Sequence, residues 1–184
     1  MVSTPTPEGL TLDSVLLALG SNIEPLVHLP RALDELGRIG EVRAWSSLYR
    51  TVAVGSAGSA AFVNAAVELL TDEPPAELKF DHLRPLEVRL GRRRGRDRNA
   101  PRTIDVDIAI YGDVEVVDPE GGVVVPDPEI GEHAHLAVPL AEIAPGRILP
   151  GDGRTLAQIA ERFAGAPGIR RLEVSPDLWP AGFR

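Results

Sequence analysis

The order of apolar patterns along the chain constrains its fold more than any other feature. Continuous or alternating apolar residues predict four strands, which lie at 14–19, 42–49, 62–69 and 102–111. Leucines at helical spacing predict one helix over 26–36 and another over 75–90, where Gly91 follows as a terminator. Because Pro30 interrupts the first helical pattern, this residue either kinks the helix or marks its true start.

The resulting order of elements is strand, helix, strand, strand, helix, strand. This order predicts an α+β fold with a ferredoxin-like antiparallel sheet, a β-α-β-β-α-β core with helices packed on it. Valines on both sides of the turn-rich segment 118–122 predict an added C-terminal hairpin, and a capping-box signature at Thr155 and Gln158 predicts a late helix. The predicted division is a disordered leader at 1–13, one domain at 14–164 and a C-terminal tail at 165–184.

Composition narrows the possible functions. The formal net charge of -8 and the aromatic content of 4% argue against nucleic-acid binding, which needs basic patches and, in many RNA-binding sheets, exposed aromatic residues. The 184 residues include no cysteine, which excludes disulfides and thiolate metal sites. No apolar run is long enough to span a bilayer, so a cytoplasmic location without membrane contact is expected. The sequence predicts no particular protein partner.

The strand predicted at 102–111 has the strongest local signal for chemistry. Branched apolar residues alternate there with Asp105 and Asp107. Alternate strand residues face the same side, so the two carboxylates are expected on one face, roughly 6 to 7 Å apart along the chain, where they can converge on hard cations. A solvated sheet surface is the alternative, because two acids at this spacing are common on exposed strands.

The segment before this strand favours the cation site. Seven arginines lie between Arg89 and Arg102, and the last of them immediately precedes the acidic pair. Guanidinium groups beside carboxylate-bound metal ions suit a polyphosphate, because they neutralise the charge that the metal leaves uncompensated. A solvated basic loop is the alternative, above all for Arg93 and Arg96. Since the chain has neither a GxxxxGK[ST] motif nor the protein-kinase signatures, phosphoryl or pyrophosphoryl transfer is predicted without a P-loop.

Six ordered sequence blocks resemble those of a known enzyme family. They are Leu19-Gly20-Ser21-Asn22, Ser46 to Thr51, Phe62 to Val67, Glu87 with Leu90-Gly91-Arg92, Pro101 to Asp107, and Pro139-Leu140 with Glu142-Ile143-Ala144-Pro145. With these blocks in this order, the chain resembles the 6-hydroxymethyl-7,8-dihydropterin pyrophosphokinases from about Val15 to Phe163. Members of that family transfer pyrophosphate from ATP to the hydroxymethyl group of the pterin, release AMP and serve folate biosynthesis.

The resemblance implies a nucleotide half of the site. It implies ATP as co-substrate and two Mg²⁺ ions, both held by Asp105 and Asp107. Arg92 and Arg102 would contact the ATP phosphates and, together with the two acids, form the catalytic set. The implied ATP-binding residues are Glu87, Arg92, Arg94, Arg102 and Ile108.

The resemblance also implies an acceptor half. Phe62 would stack on one face of the pterin and Asn64 would hydrogen-bond its ring; two residues this far apart in a strand project to the same side. Thr51 and Val54 would read the pterin edge through backbone groups, and His135 would lie over the second face. An aromatic at a strand start and a buried, satisfied amide are the alternative interpretations of Phe62 and Asn64.

Four positions differ from the family pattern. Asn99-Ala100 replaces a Trp-Gly pair, Asp127 replaces a histidine, His133 replaces an arginine and His135 replaces a phenylalanine. A carboxylate near phosphate is repulsive, and an imidazole that is mostly neutral at pH 7 neutralises little charge. Three functions stay open: the standard pterin pyrophosphokinase, a diverged paralogue acting on another heterocyclic alcohol, and a catalytically silent nucleotide-binding relative.

Overall fold

A computed structural model of the chain describes residues 12–51, 61–95, 100–118 and 123–179. The strands are β1 (Asp13–Ser21), β2 (Glu41–Trp45), β3 (Tyr49–Thr51), β4 (Phe62–Thr71), β5 (Asp105–Tyr111), β6 (Val116–Asp118), β7 (Val123–Val125) and β8 (Ile169–Arg171). The α-helices are α1 (Pro25–Leu36), α2 (Pro75–Glu77), α3 (Arg84–Arg89), α4 (Ala134–Ile143) and α5 (Leu156–Ala160). Most of the leader predicted at 1–13 lies outside the described residues.

Six of the strands form one antiparallel sheet. Its order is β5-β1-β4-β3-β8, and β2 pairs with β4 beside β3. The mixed α/β fold with an antiparallel sheet, as predicted from the sequence, is confirmed. The predicted hairpin is present as β6 and β7, but it forms a two-stranded sheet of its own rather than an extension of the main sheet.

The main sheet separates two apolar layers. On one face, α1 and the helical segment 75–89 cover a core that includes Leu17, Val67 and Ile108. On the other face, α4 and α5 cover a second core around Leu16 and Ala66. In β1 and β4, residues of opposite parity therefore enter different layers, as the two-residue period of a strand requires. Where the pairing of β2 and β5 shifts register, this alternation is interrupted. Among the described helices, none combines the length and the apolar character needed to cross a membrane.

The helix predicted over 75–90 is interrupted by a π-helical turn. This turn, Leu78–Leu83, lies between α2 and α3, and the segment ends at Gly91, whose φ of 86° is in the left-handed region. π turns are rare in proteins as a whole, and many of those that occur lie at functional sites. The first predicted helix begins at Pro25 and contains Pro30, so the internal proline does not set its start.

The segment predicted as one strand at 42–49 spans β2 and the start of β3, with a break at 46–48, so the single-strand prediction was wrong. At Ser46 a side chain takes the place of a backbone acceptor in the β-ladder, because the Ser46 Oγ accepts a hydrogen bond from the Ala66 N–H at 2.9 Å. The Ser46 N–H donates to the Ala66 carbonyl at 2.9 Å. Alternation of apolar residues continues through such a break, so the sequence pattern does not reveal it.

The sequence predicted neither α4 nor β8. α4 is buried along most of its length and contains Pro139, so it lacks the one-sided periodicity of a surface helix. β8 is three residues long and lies in the tail predicted at 165–184; its pairing with β3 is a long-range contact. The predicted late helix is confirmed as α5, where Thr155 and Gln158 form the capping box.

Candidate active site

A row of directly paired residues crosses the sheet on the α4 face. Gly20 pairs with Asp105 on one side and with Asn64 on the other, and Tyr49 continues the row opposite Asn64. Because neighbouring strands lie about 4.8 Å apart, Asp105 and Asn64 are separated by about 10 Å, and Gly20 contributes no side chain of its own between them. We call the Asp105 end of this row the acidic end and the Asn64 end the amide end. Gly20, which has no side chain, lies between them and forms the floor of the site.

Asp107 shares the face of Asp105, as the alternation in β5 predicted. Val106 and Ile108 are buried in the opposite layer, whereas the Asp105 and Asp107 side chains are 20% and 51% exposed. Burial, and then the charge of Asp105, raise the pKa of the Asp107 carboxyl. The Asp105 carboxylate is thus close enough to oppose the ionisation of Asp107.

Lys79 faces Asp107 from the π turn, with its Nζ 3.9 Å from Oδ1. Its charge lowers the pKa of Asp107 and so opposes the effects of burial and of Asp105. Sequence reasoning missed this contact. The available signals were its position in a long helical pattern before the acidic strand and its being the sole lysine of the chain.

Two of the predicted arginines converge on Asp105. Arg102 forms an ion pair with Asp105 Oδ2, and the Arg92 Nη2 atom lies 3.5 Å from Oδ1. Arg92 also donates to the Ile104 carbonyl at 3.1 Å. The Arg102 guanidinium lies over the Phe62 ring, 5.4 Å from its centroid, and therefore links the acidic end to the predicted acceptor wall.

The backbone of Arg102 is hydrogen-bonded to the loop after β1. Its N–H donates to Asn22 Oδ1 at 2.7 Å, and its carbonyl accepts from the N–H groups of Asn22 and Ile23 at 3.1 and 3.2 Å. These bonds fix the end of the arginine-rich segment beside the acidic pair. The Leu19–Asn22 block indicated that Asn22 mattered, but the sequence assigned it no role.

Glu87 is buried and supports the site from outside the sheet edge. Its Oε1 accepts from the Val106 N–H at 2.9 Å and its Oε2 from Arg94 at 2.5 Å. Burial raises the pKa of Glu87, while the Val106 N–H and Arg94 lower it. Glu87 therefore holds β5 and Arg94 in place. Ile108, another predicted ATP-binding residue, has its side chain in the opposite core, so only its backbone can face a ligand on the aspartate side.

Three of the predicted acceptor residues, Thr51, Phe62 and Asn64, meet at the amide end of the row. Thr51 pairs with Phe62 across β3 and β4, and Asn64 donates through Nδ2 to Thr51 Oγ1 at 2.9 Å. Asn64 is buried, with 5% exposure. Val54 lies outside the described residues.

The segment that differs from the family pattern lies near the acidic end. The Asp127 N–H donates to the Ala109 carbonyl at 2.8 Å, and the charge of Asp127 raises the pKa of Asp107. Burial raises the pKa of Asp127 itself. His133 and His135 stack with their ring centroids 5.3 Å apart, and burial lowers the pKa of His135. Asn99 lies outside the described residues.

The donor set at the acidic end fits a hard cation that brings or shares other ligands. Mg²⁺ is usually bound by one or two carboxylates, and substrate phosphates and water complete its coordination. Asp105 and Asp107 supply two carboxylates, and no group of three or more His, Cys, Asp or Glu side chains suited to a metal occurs in the described part of the chain. The pair therefore suits Mg²⁺ delivered with a nucleotide rather than a metal held by the protein alone.

Comparisons with known proteins decide the family. The sequence model of the 7,8-dihydro-6-hydroxymethylpterin-pyrophosphokinase (HPPK) family matches residues 16–145. The chain belongs to the HPPK family. The 2-amino-4-hydroxy-6-hydroxymethyldihydropteridine pyrophosphokinase of Pseudomonas aeruginosa is 37% identical over 166 residues, which cover 88% of this chain and 98% of the relative. The protein of the same name from Synechocystis is 33% identical over 186 residues, covering 96% and 91%.

Solved structures of HPPK proteins share the fold. The HPPK-DHPS of Plasmodium falciparum, crystallised with pteroate, superposes with a TM-score of 0.66 at 13% sequence identity. The match covers 92% of this chain and 47% of that chain, so this protein corresponds to about half of the longer polypeptide. The resemblance inferred from the six sequence blocks is confirmed at the level of the family by the matches of the sequence itself.

Proposed function

We propose that this protein transfers pyrophosphate from ATP to the hydroxymethyl group of 6-hydroxymethyl-7,8-dihydropterin, giving AMP and the pterin diphosphate in folate biosynthesis. Membership of the HPPK family supports the reaction. The observation that carries its assignment to one face of the sheet is the row in which Asp105 and Asn64 flank Gly20. The acidic end would bind the nucleotide and the amide end the heterocycle, and the distance between the two ends is about the length of one ring system.

Asp105 and Asp107 would hold two Mg²⁺ ions at the acidic end. When bound, these ions draw negative charge from the phosphate oxygens and make the β-phosphorus easier to attack. Lys79 and the arginines limit the repulsion between the two carboxylates before the nucleotide arrives.

Arg92 and Arg102 would bind the ATP phosphates. Their guanidinium groups both contact Asp105, so they lie close together at the acidic end. Guanidinium donors match phosphate oxygens as well as carboxylate oxygens, which allows the same groups to exchange one partner for the other. Glu87 and Arg94 would support the nucleotide side, and Ile108 would contribute its backbone.

The chemical step would be an in-line displacement. The acceptor hydroxyl oxygen forms a bond to the β-phosphorus while the bond from that phosphorus to the α,β-bridging oxygen breaks, and AMP takes the electron pair. The hydroxyl proton passes to water. Asp105, which lies between the arginines and the Gly20 floor, is our candidate for the group that orients the hydroxyl.

Phe62 and Asn64 would form the wall that binds the pterin, with Thr51 and Val54 at its edge and His135 over the second face. The Asn64 amide is held by Thr51, so its oxygen and remaining N–H can face a heterocycle. Arg102 lies over the Phe62 ring, so the groups proposed to bind the phosphates and the heterocyclic ring would be neighbours. Transfer between two bound substrates requires this proximity.

Replacing Gly20 with Ala is expected to raise the KM for the pterin about tenfold, roughly 1.4 kcal/mol, and to leave the KM for ATP nearly unchanged. A Cβ at this position would lie 3.2 Å from Asn64 Oδ1 and 3.9 Å from Phe62 Cδ1, so it would fill the floor of the acceptor site. Steady-state kinetics with each substrate varied in turn would measure the effect. Gly146→Ala is the control, because a Cβ there meets nothing within 4 Å. Equal KM values for the pterin in both variants would contradict the acceptor assignment.

We also propose that the fold is ferredoxin-like and that residues 14–164 form the functional domain. The order β5-β1-β4-β3, with α1 after β1 and the helical segment 75–89 before β5, supports the β-α-β-β-α-β description. The cytoplasmic location stays a prediction.

A product assay with several acceptors tests the function. The protein is incubated with Mg²⁺, ATP and either 6-hydroxymethyl-7,8-dihydropterin or other hydroxymethyl heterocycles, and the nucleotides are separated. Rapid AMP formation with the dihydropterin, far above the other alcohols, is expected. A strong preference for another alcohol would favour a diverged paralogue, and ATP binding without AMP formation would favour a silent relative.

A further inference from the structure

Glu142 of α4 binds the break between β2 and β3 through three hydrogen bonds. Its Oε2 accepts from the Ser47 N–H and from the Tyr49 hydroxyl, both at 2.9 Å, and its Oε1 accepts from the Ser47 hydroxyl at 2.7 Å. Burial, and then the bond to Glu142, raise the pKa of Tyr49 to about 12, so the phenol remains a donor at neutral pH. Both oxygens of Glu142 are therefore satisfied by one short stretch of chain.

This stretch leads directly into the acceptor wall. Tyr49 pairs with Asn64, and Thr51, two residues further, pairs with Phe62 and accepts the Asn64 hydrogen bond. β3 has only three residues, so few ladder bonds of its own fix its position along β4. The hydrogen bonds between Glu142 and the break therefore help to fix the position of Thr51 relative to Asn64.

The C-terminal segment also forms hydrogen bonds with the break between β2 and β3. The Trp179 Nε1–H donates to the Ser46 carbonyl at 2.8 Å, and the Leu172 N–H donates to the Leu48 carbonyl at 2.8 Å. β8 pairs along β3, and the Trp179 side chain is buried. β3 is thus held between β4 and β8, and Glu142 supplies the fixing contacts from the α4 layer.

We infer that Glu142 is a positioning residue for the acceptor: through Ser47 and Tyr49 it fixes β3, and it thereby keeps Thr51 in register with Asn64 and Phe62. The inference rests on the proposed function, because it takes this wall to be the pterin site. Glu142 itself forms hydrogen bonds with Ser47 in the break and with Tyr49 at the end of the row, so it would act on Thr51, Phe62 and Asn64 through these two residues. A role limited to stability would lower the unfolding temperature without distinguishing one substrate from the other, whereas a positioning role affects the acceptor selectively.

The test compares Glu142→Gln with Glu161→Gln, in which the same change is made at an exposed glutamate. Glu142→Gln keeps the size of the side chain but presents an NH₂ group to a site that has three donors, so one contact is lost. We expect the Kd for the pterin, measured by its fluorescence with a non-hydrolysable ATP analogue present, to rise about tenfold, together with its KM. The KM for ATP should stay within about twofold of the wild-type value. The control should match the wild type.

Tyr49→Phe provides a second variant that keeps the ring and removes one of the three donors. A smaller change in the same direction is expected, and this variant decides the question if Glu142→Gln does not fold. Equal losses for both substrates, or a lower unfolding temperature with an unchanged Kd for the pterin, would overturn the inference while leaving the proposed function intact. A wild-type protein that neither binds nor converts the dihydropterin would overturn both.

Discussion

Replacing Asp107 with Asn is expected to lower the rate of AMP formation about a thousandfold or more, because the acidic end then keeps only one of its two carboxylates for divalent cations. The amide retains the shape of the side chain but not the charge. Single-turnover measurements at saturating Mg²⁺, ATP and dihydropterin would give the rate. Asp72→Asn, at an exposed position before α2, is the matched control. A loss of less than about tenfold would remove Asp107 from the catalytic set.

The same substitution is expected to raise the thermal unfolding temperature at pH 7. The pKa of Asp107 is raised in the folded protein, first by burial and then by the charge of Asp105. The folded state therefore binds this proton more tightly than the unfolded state, so stability falls as the pH rises from the unfolded pKa through the folded one. The Asp107→Asn variant would lack that destabilisation, and its gain should vanish at pH values below the ordinary aspartate range. Unfolding curves of both proteins at several pH values would show it, and a lower unfolding temperature at pH 7 would contradict it.

Replacing Arg102 with Lys is expected to lower kcat/KM for ATP about a hundredfold. A lysine keeps the charge but loses the planar fork of donors that contacts Asp105 and the stacking over Phe62. The comparison is Arg89→Lys, because Arg89 forms its ion pair with Glu35 at an exposed position on the helix side. Steady-state kinetics with ATP varied would separate the two.

If Arg102→Lys behaved like Arg89→Lys, charge alone would account for the role of Arg102. In that case its pairing with Asp105 would have no bearing on phosphate binding. If both variants lost activity equally, the effect would be a general one of the basic segment, and the convergence of Arg92 and Arg102 on one carboxylate would not explain it.

Much of the main sheet could be predicted because its strands and helices have different periods. β1, β4 and β5 were each found from residues that alternate or run continuously, and α1 from leucines at helical spacing. The break after Trp45 was not found, since Ser46 substitutes for the ladder through a side chain that a pattern of apolar residues does not record. α4 was not found because burial on several sides removes the periodic signal.

The acidic end of the site could be predicted because it depends on local sequence. Asp105 and Asp107 share a face through the geometry of one strand, and Arg102 is three residues from Asp105. Other contacts at or near the site join segments that are distant in the sequence; they are those of Lys79, Asn22 and Glu142. Such contacts are determined by the packing of the whole fold, so no single stretch of sequence specified them.

The pair of carboxylates with its arginines is proposed to present ATP for attack at the β-phosphorus, and the fate of that phosphorus tests this most directly. The protein would be incubated with Mg²⁺, 6-hydroxymethyl-7,8-dihydropterin and ATP labelled at the β-phosphorus, and the products separated. We expect the label in the pterin diphosphate and unlabelled AMP in equal amount, with neither product formed by Asp107→Asn. Labelled ADP together with a pterin monophosphate, or transfer that Asp107→Asn leaves intact, would contradict it.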